Sequence, residues 1–354
     1  MHSNQAQLSE LDRQIKRLLN QRIALSAAGG SGAIPEILQE AAEEQDASTR
    51  LIFSGLQEIA QCQRMLADSS LEILEQHPIV PLERFPKRER VACQGVPGAY
   101  SHAACEQLFE EPDIVFLQQF RDVFEAVSKG EVPFGLVPLE NSSAGQVEQV
   151  FNLVTQYKLY ICKAYNLKVE HCLAVSPGVS PESIQTVYSH PQGLAQCRRY
   201  LEKLGVPAES DINTAAAAQR VSLSPHPIAC ICSKRAAQLY GLDIVAENIQ
   251  DSEENYTRFI TIARKNWILP GADTISITLS FPNKAGALAQ LLTRFALCDL
   301  DLSRIQSMPL GTRDFSVIFY LDFKGKIGDT KVAALLSDMA GRFDHFQYLG
   351  NYSG

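Results

Sequence analysis

Several features that would assign this 354-residue chain to a common functional class are missing from its sequence. Acidic residues outnumber basic ones, 40 against 32, and a net charge of −8 has the wrong sign for binding nucleic acid or an anionic membrane. No apolar run reaches the roughly 18 residues that a membrane-spanning helix requires. The N-terminus has no basic stretch followed by an apolar core, so we expect a cytoplasmic protein.

The patterns typical of metal and nucleophile chemistry are also missing. The sequence contains no HExxH or CxxC pair, no GxSxG around a serine, and no glycine-rich loop that ends in Lys-Ser or Lys-Thr. The nine cysteines are scattered, which favours buried, reduced thiols. We expect Cys230 and Cys232 on alternate faces of one strand. The sequence therefore predicts no metal site.

What is present is typical of a folded chain, since 45% of the residues are hydrophobic and the length suits two or three domains. Helical spacing characterises residues 1–80. One predicted helix face carries Leu8, Leu11, Ile15, Leu18, Leu19 and Arg22. Gly29-Gly30-Ser31-Gly32 ends that helix, and further helices are predicted at about 35–45 and 48–74.

The rest of the chain shows two other patterns. Between about residues 88 and 266, short apolar runs alternate with helical stretches, which predicts an α/β fold with a largely parallel sheet. After Pro270-Gly271, the predicted order is β-α-β-β-α-β, the ferredoxin-like arrangement. Its predicted strands are 274–281, 300–308, 315–323 and 346–349, and its helices are 287–297 and 331–342.

Polar loops follow several of the predicted strands in the middle region. The loops 95–102, 140–145 and 189–193, with Gln196 one turn later, follow strands, and a fourth polar segment, 255–259, precedes one. Ligands of α/β sheets bind beyond the carboxyl ends of strands, so four such loops indicate one cleft. Taken singly, each loop is equally well explained as a tight turn or a helix cap.

In combination these loops resemble the prephenate dehydratase family over about 180 residues. The matching motifs, in family order, are Gly95-x-Pro97-Gly98-x-Tyr100-Ser101, Val137-Pro138-Leu139-Glu140-Asn141-Ser142, Tyr188-Ser189-His190-Pro191-Gln192, and Asn248-Ile249-Gln250-Asp251 ahead of Thr257-Arg258-Phe259. The C-terminal region resembles an ACT domain. The whole order resembles the fused chorismate mutase–prephenate dehydratase enzymes. The implied domains are 1–85, 88–266 and 272–354.

The resemblance implies a two-lobed catalytic domain like a periplasmic binding protein, with no cofactor. The implied reaction converts prephenate to phenylpyruvate, carbon dioxide and water. Thr257 would donate a hydrogen bond to the departing hydroxyl. Glu140 would serve either as an acid or to hold Asn141, and Arg258 would pair either with a substrate carboxylate or with a structural partner. The other implied catalytic residues are Asn141, Ser189 and Gln196, and the other implied substrate-binding residues are Gly98, Tyr100, Ser101 and Ser142.

The N-terminal region departs from the mutase pattern. Arg22 and Gln63 match substrate-binding positions, but Gln5 stands where the family has an early arginine, and residues 23–49 contain no lysine or arginine. Chorismate is a dianion, so its two carboxylates would be repelled by this acidic stretch. We therefore expect a degenerate mutase-like domain, with a working bifunctional enzyme as the alternative.

The C-terminal region keeps one of two ACT signatures. Gly286-Ala287-Leu288 matches the turn that receives phenylalanine in the family, whereas the second signature reads Gln306-Ser307-Met308-Pro309 in place of Glu-Ser-Arg-Pro. Effector contacts would then involve backbone at Ser307 and Pro309. The resemblance implies phenylalanine as effector and a homodimer or homotetramer. A catalytically silent ligand-binding regulator is a rival interpretation of the same architecture.

Overall fold

The computed structural model describes residues 2–28, 47–68, 70–281, 284–309 and 317–354. These residues form two compact units. The first consists of Met1–Pro78 with Asp273–Tyr348, and the second of Ile79–Ala272 with Leu349–Gly354. The N-terminal helices thus belong to the same unit as the C-terminal sheet, and the division into three domains stays a prediction.

The described helices, in chain order, are α1 His2–Ala28, α2 Ala47–Asp68, α3 Glu72–Gln76, α4 Tyr100–Leu108, α5 Phe120–Lys129, α6 Glu148–Gln156, α7 Pro191–Gln196, α8 Arg198–Leu204, α9 Thr214–Leu223, α10 Lys234–Leu239, α11 Ala287–Leu297 and α12 Thr330–Arg342. The described strands are β1 Ile79–Pro81, β2 Arg90–Gln94, β3 Asp113–Leu117, β4 Phe134–Asn141, β5 Gly145–Gln146, β6 Tyr160–Lys168, β7 Cys172–Val175, β8 Val187–Ser189, β9 Ala208–Ser210, β10 Ala229–Cys232, β11 Asp243–Ala246, β12 Tyr256–Ala263, β13 Asn266–Ile268, β14 Thr274–Ser280, β15 Leu302–Pro309, β16 Val317–Lys324 and β17 Asp344–Tyr352.

The N-terminal helices differ in one respect from the prediction. The helix predicted at 48–74 is two helices, α2 and α3, while the one predicted at 35–45 lies outside the described residues. Ser337 stabilises the break, because its hydroxyl accepts a hydrogen bond from Ile73 N (3.1 Å) and donates one to Ser70 O (3.2 Å). Backbone groups left unpaired at a helix end are thereby satisfied.

The C-terminal part of the first unit has the predicted β-α-β-β-α-β order. Its four strands lie in the order β15-β16-β14-β17, and α11 and α12 pack against α2. Arg294 of α11 is buried in this contact and donates to both carboxylate oxygens of Glu58 on α2, from Nε to Oε1 (2.9 Å) and from Nη2 to Oε2 (2.8 Å). Its Nη1 pairs with Asp338 of α12. One guanidinium therefore joins three helices.

The second unit contains two mixed sheets, so the expectation of a largely parallel sheet is wrong. The first has the order β3-β2-β4-β12-β6, with β5 beside β4, and the second has the order β11-β7-β10-β8-β9. In the first sheet β12 is antiparallel to both neighbours. The chain leaves this lobe on β6 and returns on β12, and neighbouring exit and return strands necessarily run in opposite directions. In the second sheet β7 is likewise antiparallel to β10 and β11.

Small residues set the spacing between helix and sheet in the first lobe. Gly135 of β4 lies under α5, where a Cβ atom would come within 2.8 Å of Val123 Cγ1 and 2.9 Å of Val127 Cγ2. Glycine is therefore the residue that lets α5 pack closely on β4.

The nine cysteines are free and buried, as the sequence predicts. Burial raises the pKa of Cys62 to about 11 and that of Cys162 to about 12, so these thiols stay protonated at neutral pH. Cys230 and Cys232 lie on the same face of β10 with sulfur atoms 3.7 Å apart. The expectation of alternate faces is wrong, because residues two apart on a strand point the same way.

Six of the described strands were not predicted from the sequence, namely β1, β3, β5, β9, β11 and β13. Residues 194–204, whose pattern is helical, form the end of α7 and the whole of α8, and the two helices are interrupted at Cys197. No helix within the described ranges is both long and apolar enough to cross a membrane.

The buried Arg294 cluster gives a stability prediction. Arg294→Leu leaves Glu58 and Asp338 without their shared cation, and breaking a buried pair in this way costs about 3–5 kcal/mol. We expect the urea midpoint measured by far-UV circular dichroism to fall clearly. Glu202→Gln, which breaks the exposed Arg198–Glu202 pair, is the matched control and should change the midpoint far less. Equal midpoints for the two variants would contradict the assigned role of Arg294.

Candidate active site

The candidate site lies where β4 ends and β12 begins, next to the segments that join the two lobes. Thr257 and Asn141 are directly opposite each other in the antiparallel register of these strands. The Asn141 side-chain nitrogen donates a hydrogen bond to the Thr257 hydroxyl, with 2.9 Å between Nδ2 and Oγ1. Two of the predicted catalytic residues are thus in direct contact.

The turn after β4 fixes the orientation of the Asn141 amide. The backbone N–H groups of Ser143 (3.0 Å) and Ala144 (2.9 Å) both donate to Asn141 Oδ1. Backbone nitrogens are unambiguous donors, so Oδ1 must be the oxygen and Nδ2 the donor to Thr257. Thr257 Oγ1 therefore accepts from Asn141, and its own hydrogen has no acceptor among the described residues. It is available to a ligand.

Asn255 supports the same pair from behind. It is 1% exposed, and its Oδ1 accepts from Asn141 Nδ2 (2.9 Å) and lies 3.2 Å from Ser143 Oγ. Its Nδ2 is buried with no hydrogen-bond partner in the described part of the chain. Buried polar groups are usually paired, so this N–H group is available to a ligand or an ordered water.

A chain of hydrogen bonds leads from this pair into the second lobe. Gln196 Nε2, at the end of α7, donates to Ser143 Oγ (2.7 Å), and Gln196 Oε1 lies 2.8 Å from Nε2 of His171. The other ring nitrogen of His171, Nδ1, is 2.9 Å from the Tyr100 hydroxyl at the start of α4. Predicted residues Tyr100, Gln196, Asn141 and Thr257 are therefore joined in one network.

Two members of this network, His171 and Ser143, were not predicted from the sequence. His171 immediately precedes β7 on the segment that crosses between lobes, and it is 2% exposed. Burial lowers its pKa and raises that of Tyr100, which keeps both groups uncharged at neutral pH. The only available signal for Ser143 was its place directly after the Glu140-Asn141-Ser142 motif.

Glu140 and Arg258 lie on the opposite face of the same strands. They are paired in the register, one residue along from Asn141 and Thr257, and adjacent strand residues point to opposite sides. Arg258 Nη1 is 4.0 Å from Glu140 Oε1, and Arg258 Nη2 donates to the buried Tyr352 hydroxyl (3.0 Å). Of the two roles open to Arg258, this geometry favours the structural ion pair.

Other predicted site residues lie around the network, where they are buried or bonded to the backbone. The Ser142 hydroxyl donates to Glu254 O (3.0 Å) and accepts from Tyr256 N (2.9 Å), which ties the β4 turn to the start of β12. Ser189 is fully buried and donates to Ile231 O (2.7 Å). Ser101 is also buried, in the first turn of α4.

Gly98 lies at a close approach between the lobes. It has a φ of +89°, and a Cβ atom there would come within 3.2 Å of the Ala236 backbone. Its carbonyl oxygen accepts a hydrogen bond from the Ser233 hydroxyl (3.2 Å). A side chain at this position would separate the two lobes.

The remaining predicted residues lie in the first unit. Gly286, with a φ of +88°, is the N-cap of α11 and is followed by Ala287 and Leu288 in its first turn. Ser307 and Pro309 are exposed on β15, the edge strand of the sheet. Gln63 lies in α2 with Oε1 buried and no partner among the described residues, and Arg22 lies in α1.

The network is built from neutral hydroxyl, amide, imidazole and phenol groups. No group of three or more His, Cys, Asp or Glu within the described ranges is arranged to bind a metal ion. The chemistry available at Thr257 is therefore hydrogen-bond donation from a group whose orientation is fixed before a ligand arrives.

Comparison with known proteins agrees with this geometry. A model of the prephenate dehydratase family matches residues 91–267. The chloroplastic arogenate dehydratase/prephenate dehydratase 2 of Arabidopsis thaliana is 36% identical over 278 residues, which is 75% of this chain and 73% of that protein.

Two solved structures have the same α/β architecture. Prephenate dehydratase from Arthrobacter aurescens, in complex with L-Phe, is 27% identical with a TM-score of 0.69 and covers 75% of this chain and 90% of its own. GqqA, described as a novel type of quorum quenching acylase, is 29% identical with a TM-score of 0.68 and covers 74% of this chain and 97% of its own. From the family model and the Arabidopsis relative together, this chain belongs to the prephenate dehydratase family.

Proposed function

We propose that this protein converts prephenate to phenylpyruvate, carbon dioxide and water, as a step in phenylalanine synthesis. The observation that carries the proposal is the Thr257 hydroxyl, held by Asn141 with its hydrogen available to a ligand. Membership of the family and the likeness to a prephenate dehydratase structure support the same reaction.

The reaction needs little from the protein. The carbon–carbon bond to the ring carboxylate breaks, its electron pair enters the ring, and the ring carbon–oxygen bond breaks to expel hydroxide, which takes up a proton to give water. Formation of the aromatic ring supplies the driving force. A positioned donor at the departing hydroxyl contributes about 10²–10⁴-fold in rate.

Thr257 acts in this scheme as a hydrogen-bond donor, because a free hydroxyl of this kind is too weak an acid to lose its proton outright. Donation to Thr257 from Asn141 Nδ2 polarises the hydroxyl and holds it in one rotamer. A donor that is oriented in advance needs no reorganisation as negative charge develops on the leaving oxygen.

The first prediction concerns the substrate. The purified protein, given prephenate, should form phenylpyruvate, measured by absorbance in alkali. Separate incubations with arogenate and with chorismate test the two alternatives. Arogenate carries an amino group in place of a carbonyl, and loss of the same groups would give phenylalanine. Binding of prephenate without turnover would instead support the silent regulator and refute the proposed reaction.

The second prediction concerns Thr257. Thr257→Ala removes the donor and should lower kcat on prephenate by at least about ten-fold, while Thr257→Ser keeps the hydroxyl and should retain most of the activity. Thr261→Ala, four residues along the same strand, removes a buried hydroxyl without a partner among the described residues and is the matched control. Near-wild-type kcat in Thr257→Ala would remove this residue from the mechanism.

We also propose that the N-terminal helices have no chorismate mutase activity and serve a structural role. The absence of lysine and arginine from residues 23–49 supports this view, as does the packing of α2 against α11 and α12 through Arg294. Formation of prephenate from chorismate by the whole chain would overturn it.

The third prediction concerns regulation. We propose phenylalanine as an effector that binds at the Gly286 turn, in line with the L-Phe complex of the Arthrobacter relative, and a homodimer or homotetramer as the assembly. Titration calorimetry should detect phenylalanine binding at millimolar concentration or below. Gly286→Val, which forces a β-branched residue to a φ of +88°, should abolish it. No heat with the unmodified protein would leave this unit purely structural.

A further inference from the structure

We propose that His171 is a positioning residue for the dehydratase site, whose Nε2–H group holds the Gln196 amide in the orientation that donates to Ser143, beside the pair Asn141 and Thr257. The inference rests on the proposed function and extends it to a residue that does not contact Thr257. The geometry that carries it is a single chain of side chains running from the crossing segment of the second lobe to the catalytic pair of the first.

The donor in each hydrogen bond of this chain can be assigned by starting from the backbone N–H groups. Asn141 Oδ1 is the amide oxygen, since Ser143 N and Ala144 N both donate to it. Ser143 Oγ lies 2.7 Å from the same oxygen, and two oxygens this close require a hydrogen between them, so the Ser143 hydroxyl donates to Asn141. The lone pairs of Ser143 Oγ then remain to accept a hydrogen bond.

The donor and acceptor atoms of Gln196 and His171 follow in the same way. Gln196 lies 2.7 Å from Ser143 Oγ, whose hydrogen is already used, so the Gln196 amide must present its N–H to Ser143. Its oxygen consequently faces His171 Nε2 at 2.8 Å. Because an amide oxygen only accepts, Nε2 of His171 must carry a proton. The tautomer of a buried histidine is thus dictated by two backbone N–H groups in the other lobe.

Tyr100 completes the arrangement at the far end. With the proton on Nε2, the neutral ring leaves Nδ1 as an acceptor, and the Tyr100 hydroxyl lies 2.9 Å from it. Glu170 O, which can only accept, lies 2.7 Å from the same hydroxyl, so the single Tyr100 hydrogen is shared between Glu170 O and His171 Nδ1. The lowered pKa of His171, caused by burial, agrees with a neutral imidazole.

The consequence is a directional link between the lobes. If the Nε2 proton were lost, the Gln196 amide would gain by rotating so that its nitrogen faced His171. Its oxygen would then face Ser143 and compete with Asn141 for the serine hydrogen. Asn141 is held by the backbone, but its contact with Ser143 would weaken, and the donor to Thr257 would lose support from the second lobe.

Two substitutions of similar size separate positioning from mere packing. In His171→Gln the terminal amide reaches the place of Nε2 and restores a donor to Gln196. In His171→Asn the shorter amide reaches only the place of Nδ1 and leaves Gln196 Oε1 without a donor. Both replacements are polar and smaller than histidine, and asparagine is smaller than glutamine by one methylene group. The urea midpoint of each variant is therefore measured with its kcat, so that lost packing is separated from the lost donor.

We expect His171→Asn to lower kcat on prephenate by about ten-fold, which corresponds to about 1.4 kcal/mol, with KM changed less than kcat. His171→Gln should recover most of that loss. Equal kcat values for the two variants would overturn the proposal, since they would show that the Nε2 position has no special role.

A measurement on the unliganded protein keeps this test separate from the proposed reaction. The ¹⁵N chemical shifts of the His171 ring report which nitrogen is protonated, and we expect the proton on Nε2 at neutral pH. A proton on Nδ1 would overturn the proposal even in an active enzyme. Absence of prephenate turnover, with the Nε2 proton present, would instead refute the proposed function and leave the hydrogen-bond order intact.

Discussion

The candidate site depends on two backbone N–H groups that donate to one oxygen. Ser143 N and Ala144 N hold the Asn141 side chain in a single orientation, and the rest of the polar network takes its direction from that oxygen. A hydrogen bond from Ser142 to Glu254 O connects the turn after β4 to the start of β12, and Asn255 accepts a hydrogen bond from Asn141. The backbone N–H donors of the turn are thereby tied to the strand that carries Thr257. Preorganisation here comes from main-chain geometry and not from charge.

In the second unit, the two sides of the β4–β12 strand pair differ in charge. Asn141 and Thr257 occupy one side of the β4–β12 pair, and Glu140 and Arg258 the other. Tyr352, from the end of β17, contacts that charged side. In the first unit, by contrast, charged groups are buried. Arg294 pairs there with Glu58 and Asp338 and joins α2 to α11 and α12. Ionic interactions thus serve the framework, and neutral dipoles serve the site.

The sequence predicted residues that lie in local motifs better than residues whose role depends on distant contacts. The motif resemblance pointed to Thr257, Asn141 and Gln196, because each lies in a short local motif or one turn after it. His171 was missed, since its value depends on contacts with residues 71 positions before it and 25 after it. Strand periodicity predicts only that Glu140 and Asn141 lie on opposite sides of their strand. That Glu140 faces Arg258 and Asn141 faces Thr257 required the strand register, as did the mixed sheet direction.

The chain order of the second unit has a consequence for biosynthesis. Residues 349–354 belong to the second unit, where Ser353 O accepts from Ala164 N (3.1 Å) and Gly350 lies so close to Ile161 that a Cβ atom would collide with its carbonyl oxygen. About 75 residues of the other unit intervene. During synthesis on the ribosome, the side of β6 that residues 349–354 cover therefore stays exposed until the whole ferredoxin-like region has been made. A peptide fused after Gly354 would begin beside β6.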